Sequence, residues 1–274
     1  MSLCFYTVAT GSKYKAYITL FLACVRRAYP EASVIVDCVG SLDDDVQNAM
    51  SYAWSARHIV NEHAFGPWAT NPGAIMIARW CAYHPEFEKH DFVYYADVDL
   101  LHAAETPDLV KRRMQVMGKG CFSNSDSIDR VQEEDRRMTG LHMVRPAEYF
   151  PIMLPVMEST LDELLDGRLP EWSFSKATQC ADNQKALRVM LERAGLTMPQ
   201  HGFFQYHGLH VGHSRTEGRW SQLFQECPDH QRYARDLMPH LQTRAVQRSI
   251  THEGVRREMD AMMDAWAQLG RGGR

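Results

Sequence analysis

Two carboxylates, Asp97 and Asp99, stand one residue apart at the end of an apolar run, Phe92-Val93-Tyr94-Tyr95-Ala96. Where a chain turns out of a strand, side chains so spaced can approach one divalent cation together. Their hard oxygens suit Mn²⁺ or Mg²⁺, and a diphosphate would complete the shell. The bare pattern is not specific, because Asp43-Asp44-Asp45 contains it too and reads as a helix N-terminus with carboxylates set favourably against the dipole. What distinguishes 97–99 is delivery by a buried strand to a sheet edge, where two uncompensated like charges would be costly. The structural alternative is capping or surface ion pairing.

A second concentration of chemistry is His207-Gly208-Leu209-His210-Val211-Gly212-His213-Ser214-Arg215. Strand alternation would put His207, Leu209, Val211 and His213 on one face and His210 on the other, so the three imidazoles cannot all be ligands. A neutral imidazole is a suitable third protein ligand for Mn²⁺, Gly212 permits close backbone approach, and Arg215 suits phosphate. A polar turn with solvated histidines is the plainer reading.

These residues need elements to position them. Residues 3–9 predict a buried strand, and Gly11 with Ser12 predicts a turn and a helix cap. Tyr17, Ile18, Phe21, Leu22 and Val25 then recur at helical spacing over 14–28, until Pro30 ends the pattern. Ser33–Val39 is a second strand. This strand–helix–strand start belongs to an open α/β sheet, whose ligands gather at the carboxyl ends of the strands. A helix is predicted over 73–83, strands over 92–96, 118–123, 139–144 and 203–211, and helices over 182–194 and 246–269. The polar stretch Asn124–Arg137 predicts a mobile loop or lid.

Composition narrows the field. In 274 residues, 45% of them apolar, there is material for one main domain with a C-terminal appendage. A formal net charge of -4 supplies no global positive field for a nucleic-acid backbone. Seven cysteines without a Cys-x-x-Cys pair, several within apolar runs, fit a reduced cytoplasmic compartment. Neither a basic leader nor a stretch of roughly 20 apolar residues is present, which predicts neither export nor a transmembrane span.

The motifs resemble the glycogenin-like and lipopolysaccharide galactosyltransferase-like enzymes of glycosyltransferase family 8. Thr7–Tyr14 is similar to that group's first strand and nucleotide-base loop, Arg26–Pro30 to its first helix end, and Phe92–Asp99 to its apolar strand with metal motif. Arg79 resembles the arginine that contacts the nucleotide sugar. Thr139–Val144 is similar to the strand beside the donor sugar, and Ala181–Leu187 to the acidic helix start near the reacting centre. The family's last motif is a histidine, then a glycine, then Lys-Pro-Trp. His210, Gly212 and Arg215 match it with a His-to-Gly spacing one shorter, Arg for Lys and no Pro-Trp, so His207 or His213 remains an alternative ligand.

The resemblance implies a GT-A-like, Rossmann-like α/β fold: a mixed open sheet flanked by helices. Residues 1–230 would form the nucleotide-sugar-binding catalytic domain and 231–274 a helical appendage. It implies transfer of a sugar, with retention, from a nucleoside diphosphate sugar, UDP-sugar first among donors, to a glycan or glycolipid acceptor. The latter is compatible with peripheral membrane contact. Asp97, Asp99 and His210 would hold Mn²⁺ (or Mg²⁺), which would bridge the diphosphate. Thr10 and Tyr14 would meet the base, Asp97 the ribose, Arg79 and Arg215 the phosphates, and Asp182 with Gln184 the donor sugar and acceptor. In such enzymes the leaving diphosphate can itself take the acceptor proton. Two other readings compete: a haloacid dehalogenase-type phosphatase, whose strand also ends in Asp-x-Asp, and an inactive sugar-nucleotide-binding protein.

Overall fold

The computed structural model describes residues 1–53, 57–66, 69, 71–105, 108–124, 141–174, 182–197 and 207–272. In chain order the elements are β1 (Leu3–Ala9), α1 (Gly11–Ala28), β2 (Ser33–Cys38), α2 (Asp44–Ala53), β3 (His58–Asn61) and α3 (Pro72–Ala78). Then follow β4 (Phe92–Tyr95), β5 (Leu100–His102), α4 (Leu109–Met117), β6 (Phe122–Asn124), β7 (His142–Val144) and α5 (Pro146–Leu165). The last third holds α6 (Asn183–Arg193), β8 (Gly208–His210), α7 (Arg219–Glu226), α8 (Pro228–Leu241), α9 (Arg244–Ser249) and α10 (Glu253–Gly272). The class is α/β, with a mixed open sheet flanked by helices and a helical C-terminal region. Among the described residues no helix is long and apolar enough to cross a membrane.

The chain divides into two compact units. One comprises residues 1–8, 63–96 and 110–205, the other 9–62, 97–109 and 206–274. In the first, β1 pairs in parallel with β4 (Leu3↔Phe92 to Tyr6↔Tyr95), β4 antiparallel with β7 (Tyr94↔Met143), and β7 antiparallel with β6 (Ser123↔Met143). All four residues of β4 are buried, which explains a continuous apolar run rather than an alternating one. Tyr95 lies 5.7 Å from Trp80 between ring centroids and donates its hydroxyl to the Ala82 carbonyl at 3.1 Å. Ala74, Ile77 and Ala78 of α3 pack with Leu164 of α5 and Ala186 of α6, the small side chains letting the helices approach.

In the second unit β2 and β3 run parallel (Val34↔His58 to Asp37↔Asn61), and β5 pairs antiparallel with β8. Helix α1 is buried on every side from Lys15 to Val25, so the predicted apolar stripe widens to the whole helix. Phe21 meets His102 of β5 at 5.3 Å, Thr19 donates to the Ser249 carbonyl of α9 at 3.1 Å, and Arg27 grips Asp236 of α8 through two bonds of 2.5 and 2.6 Å.

Several predicted bounds shift. Helix α1 begins at Gly11, with Thr10 and not Ser12 at the N-cap. The helix expected over 73–83 is α3 followed by a 3-10 turn at Arg79–Cys81. The strand expected from Gly118 starts at Phe122, because Gly118, with φ +56°, and Gly120 instead close the end of α4. The terminal helical region is two helices broken at residues 250–252. Of the expected 124–137 loop, residues 125–137 lie outside the described residues. So do Thr139, Gly140, Ala181 and residues 203–206.

Beside the β5–β8 ladder, Glu105 is buried. It accepts from the Tyr233 hydroxyl at 2.5 Å and from Arg232 at 3.0 Å, and pairs with Nδ1 of a wholly buried His207 at 3.2 Å. Burial opposes its charge, but His207, Tyr233 and Arg232 outweigh that and hold the carboxyl at about 2, against 4.5 ordinarily. A depressed folded pKa contributes stability that is complete above about 4.5 and lost as pH falls through 2. Glu105→Gln is expected to cost about 1–3 kcal/mol near neutral pH. Urea titrations from pH 6 to 2 should show the gap between wild type and variant closing over that window.

Candidate functional site

Asp97 follows β4 after Ala96, and the Leu100 amide donates to the Asp97 carbonyl at 3.1 Å, so Asp97-Val98-Asp99 forms a tight turn. The β5–β8 ladder then sets the partner. Its register is Leu100↔His210, Leu101↔Leu209 and His102↔Gly208, and Val211 N–H to Asp99 carbonyl at 2.9 Å extends it. Asp99 and His210 are thereby adjacent through backbone pairing. Gly208 is required in this ladder, since a Cβ there would stand 1.9 Å from the Leu101 carbonyl oxygen. After β8 the chain winds into a 3-10 turn, Val211–Arg215, which brings Arg215 back over the same corner.

There His210 Nε2 lies 3.3 Å from Asp99 Oδ1 and 3.7 Å from Asp97 Oδ2, while Arg215 donates from Nη2 to Asp99 Oδ2 at 3.0 Å. Asp99 is 4% exposed, so both oxygens of a nearly buried carboxylate face cations. A Cβ on Gly212 would come 2.6 Å from His210 Cε1 and 3.2 Å from Asp99 Oδ2, so only glycine leaves room for this packing. Burial alone would lower the His210 pKa, but Asp99 and Asp97 raise it to about 9. The Arg215 guanidinium also lies 5.5 Å from the centroid of the Tyr14 ring, at the first turn of α1. Thr10, at the N-cap of α1, makes no side-chain capping bond.

The three histidines occupy three environments rather than two strand faces. His207, at φ +55°, is turned to Glu105. His213 lies in ring contact with His210 at 5.3 Å, Trp220 at 5.5 Å and His230 at 6.0 Å, and burial lowers its pKa to about 3. Among the described histidines, His210 is the one set against Asp97 and Asp99.

Glu258 of α10 is a participant that the motifs do not contain. It accepts from Lys13 Nζ at 2.6 Å and from the Tyr17 hydroxyl, and lies 3.6 Å from Arg215 Nε. The signal was present: Val255, Glu258, Met259 and Met262 share one helical stripe, and a carboxylate in an apolar stripe requires partners.

Arg79, Asp182 and Gln184 belong to the other unit. Arg79 is buried, its guanidinium 4.2 Å from the Trp80 ring centroid. Asp182 caps α6, its Oδ1 accepting from the Gln184 amide at 2.9 Å and the Lys185 amide at 3.2 Å.

Among the described residues no group of three or more His, Cys, Asp or Glu stands as a formed metal cage, Asp99 being paired with His210 and Arg215 instead.

No family model and no curated protein sequence matches the chain. Solved structures do. The glycosyltransferase GlyE of Streptococcus pneumoniae TIGR4 aligns over 97% of this chain and 63% of its own, with TM-score 0.51 and 11% identity. A Desulfovibrio desulfuricans G20 protein described as a nucleotide-diphospho-sugar transferase aligns over 97% and 99%, with TM-score 0.49 and 13% identity. The galactosyltransferase LgtC, solved with donor and acceptor sugar analogues, aligns over 69% of both chains, with TM-score 0.41 and 14% identity. The GlyE likeness shows a shared GT-A-type fold, the one the motif resemblance implied.

Two glycine substitutions should separate scaffold from site. Gly208→Ala forces backbone apart and is expected to cost about 3 kcal/mol in global stability. Gly212→Ala should leave the thermal midpoint within a few degrees yet shift the His210 imidazole resonances and their titration. An unperturbed His210 spectrum in Gly212→Ala would contradict the packing described.

Proposed function

We propose that the chain is a metal-dependent glycosyltransferase that moves a sugar from a nucleoside diphosphate sugar, a UDP-sugar in the first instance, to a glycan or glycolipid acceptor with retention. The observation that carries the reading is the convergence of Asp97, Asp99, His210 and Arg215 on one corner of a GT-A-type fold. Two carboxylates and an imidazole suit Mn²⁺ or Mg²⁺. When bound, the ion would offset charge on the departing diphosphate.

The chain's own groups do the rest. Arg215 would leave Asp99 to the metal and turn its guanidinium to the phosphates, a bidentate partner already in place. Tyr14 would present a ring face to the base and Thr10 a hydroxyl to its edge. Asp97 would reach the ribose. The roles of Arg79 at the nucleotide sugar, and of Asp182 and Gln184 at the donor sugar and acceptor, follow the motif resemblance. The proposed catalytic domain, 1–230, then borrows Glu258 from the 231–274 appendage.

Isothermal titration of UDP with and without Mn²⁺ tests the proposal. Mn²⁺ should tighten UDP binding in wild type, and Asp99→Ala should abolish that dependence with an unchanged circular dichroism spectrum. Arg215→Ala should weaken UDP about tenfold and UMP by less, because the guanidinium serves the second phosphate. Metal-dependent affinity that survives in Asp99→Ala would remove the reading.

A further inference from the structure

The most conspicuous group left over is the Glu258 carboxylate, 12% exposed, on a stripe of α10 whose other members Val255, Met259 and Met262 are wholly buried. Three donors converge on it: the Lys13 ammonium at 2.6 Å, the Tyr17 hydroxyl, and Arg215 Nε at 3.6 Å. The same turn of α10 is fixed to the turn that carries Arg215, since Ser214 donates to the Glu258 carbonyl at 2.9 Å and Trp220 donates to Ser214 at 2.6 Å. One guanidinium therefore serves two acids, Asp99 through Nη2 and Glu258 through Nε.

An ammonium and a guanidinium that hold a carboxylate oxygen can hold a phosphate oxygen in the same way, and a phosphate carries more charge. The local balance matters as well. Asp97, Asp99 and Glu258 are three carboxylates set against Lys13, Arg215 and His210. Glu258 thus cancels positive charge that Lys13 and Arg215 would otherwise offer a polyanion.

Building on the glycosyltransferase reading, we propose that Glu258 occupies, in the free protein, the place that a phosphate of the donor takes between Lys13 and Arg215. Lys13, which lies in the stretch likened to the nucleotide-base loop, is then a diphosphate-binding residue instead. The helix α10 acts as an internal competitor: it lowers affinity for diphosphate in the absence of metal and yields when metal and diphosphate arrive together. Since the phosphate would take the same Lys13 and Arg215 N–H groups that Glu258 faces, the contact of α10 with the corner and the binding of diphosphate are coupled with opposite sign.

The test is titration of UDP and of inorganic pyrophosphate, in EDTA and in Mn²⁺, into wild type, Glu258→Gln, Lys13→Met and the double variant. Glu258→Gln keeps the size of the side chain and a bond with Tyr17. It is expected to bind both probes in EDTA at least about fivefold tighter than wild type. Lys13→Met should bind them more weakly, and the double variant should lose the gain. In wild type, Mn²⁺ with UDP should speed amide exchange over residues 255–262, a readout that needs no variant. Unchanged or weaker binding by a folded Glu258→Gln, or slower exchange in those residues with UDP bound, overturns the proposal. If wild type binds no UDP even with Mn²⁺, the sugar-transfer reading falls. The pyrophosphate arm then decides on Glu258 alone, and equal affinity in wild type and Glu258→Gln overturns its competition.

Discussion

A carboxylate as enclosed as Asp99 is stable in its ionised form only if cations are held against it, and much of the second unit can be understood as the means of holding them. Its Oδ1 faces His210 and its Oδ2 Arg215, and neither partner is near in sequence. Backbone pairing of β5 with β8 supplies the first, and the 3-10 turn after β8 supplies the second. The two glycines of that segment are explained by the same demand, one by contact with the Leu101 carbonyl and the other by contact with the His210 ring.

The Glu105 cluster is the counterpart at the other end of the same ladder, where the Ala103 amide donates to the His207 carbonyl at 3.0 Å. There a carboxylate, an imidazole, a phenol and a guanidinium satisfy one another inside the protein, and His207 adopts a left-handed backbone conformation to take part. Such a closed network fixes the register of β5 against β8. The two acidic centres thus divide the labour, Glu105 fixing the ladder and Asp99 exposing its product to whatever enters the corner.

The sequence made the scaffold legible where a single period ran undisturbed: β1, α1, β2 and β4 lie within a few residues of where apolar patterning puts them. The pair Asp97 and Asp99 could be found because a buried strand leads into it. It failed where local signals conflicted. Pro151 and Pro155 sit inside α5 and hide its periodicity, and Gly118 and Gly120 looked like strand residues although they close α4. For 207–215, strand alternation was the wrong rule, because only three residues pair before the chain tightens into a 3-10 turn. Glu258 escaped for a different reason. Its place in an apolar stripe calls for partners, but these lie more than 40 residues away, Arg215 nearest among them, and no local pattern identifies them.

The two strands of the β5–β8 ladder are joined by a long excursion of chain, residues 103–207, much of which folds into the other unit. Contacts of such high sequence separation carry a loop-closure cost that local contacts do not, and slow folding. During synthesis the Asp97–Asp99 turn must wait for more than a hundred residues before His210 emerges, and longer for Glu258. A nascent chain that ends before β8 therefore carries both aspartates but neither His210 nor Arg215. It would have the look of the fold before it has any of the chemistry.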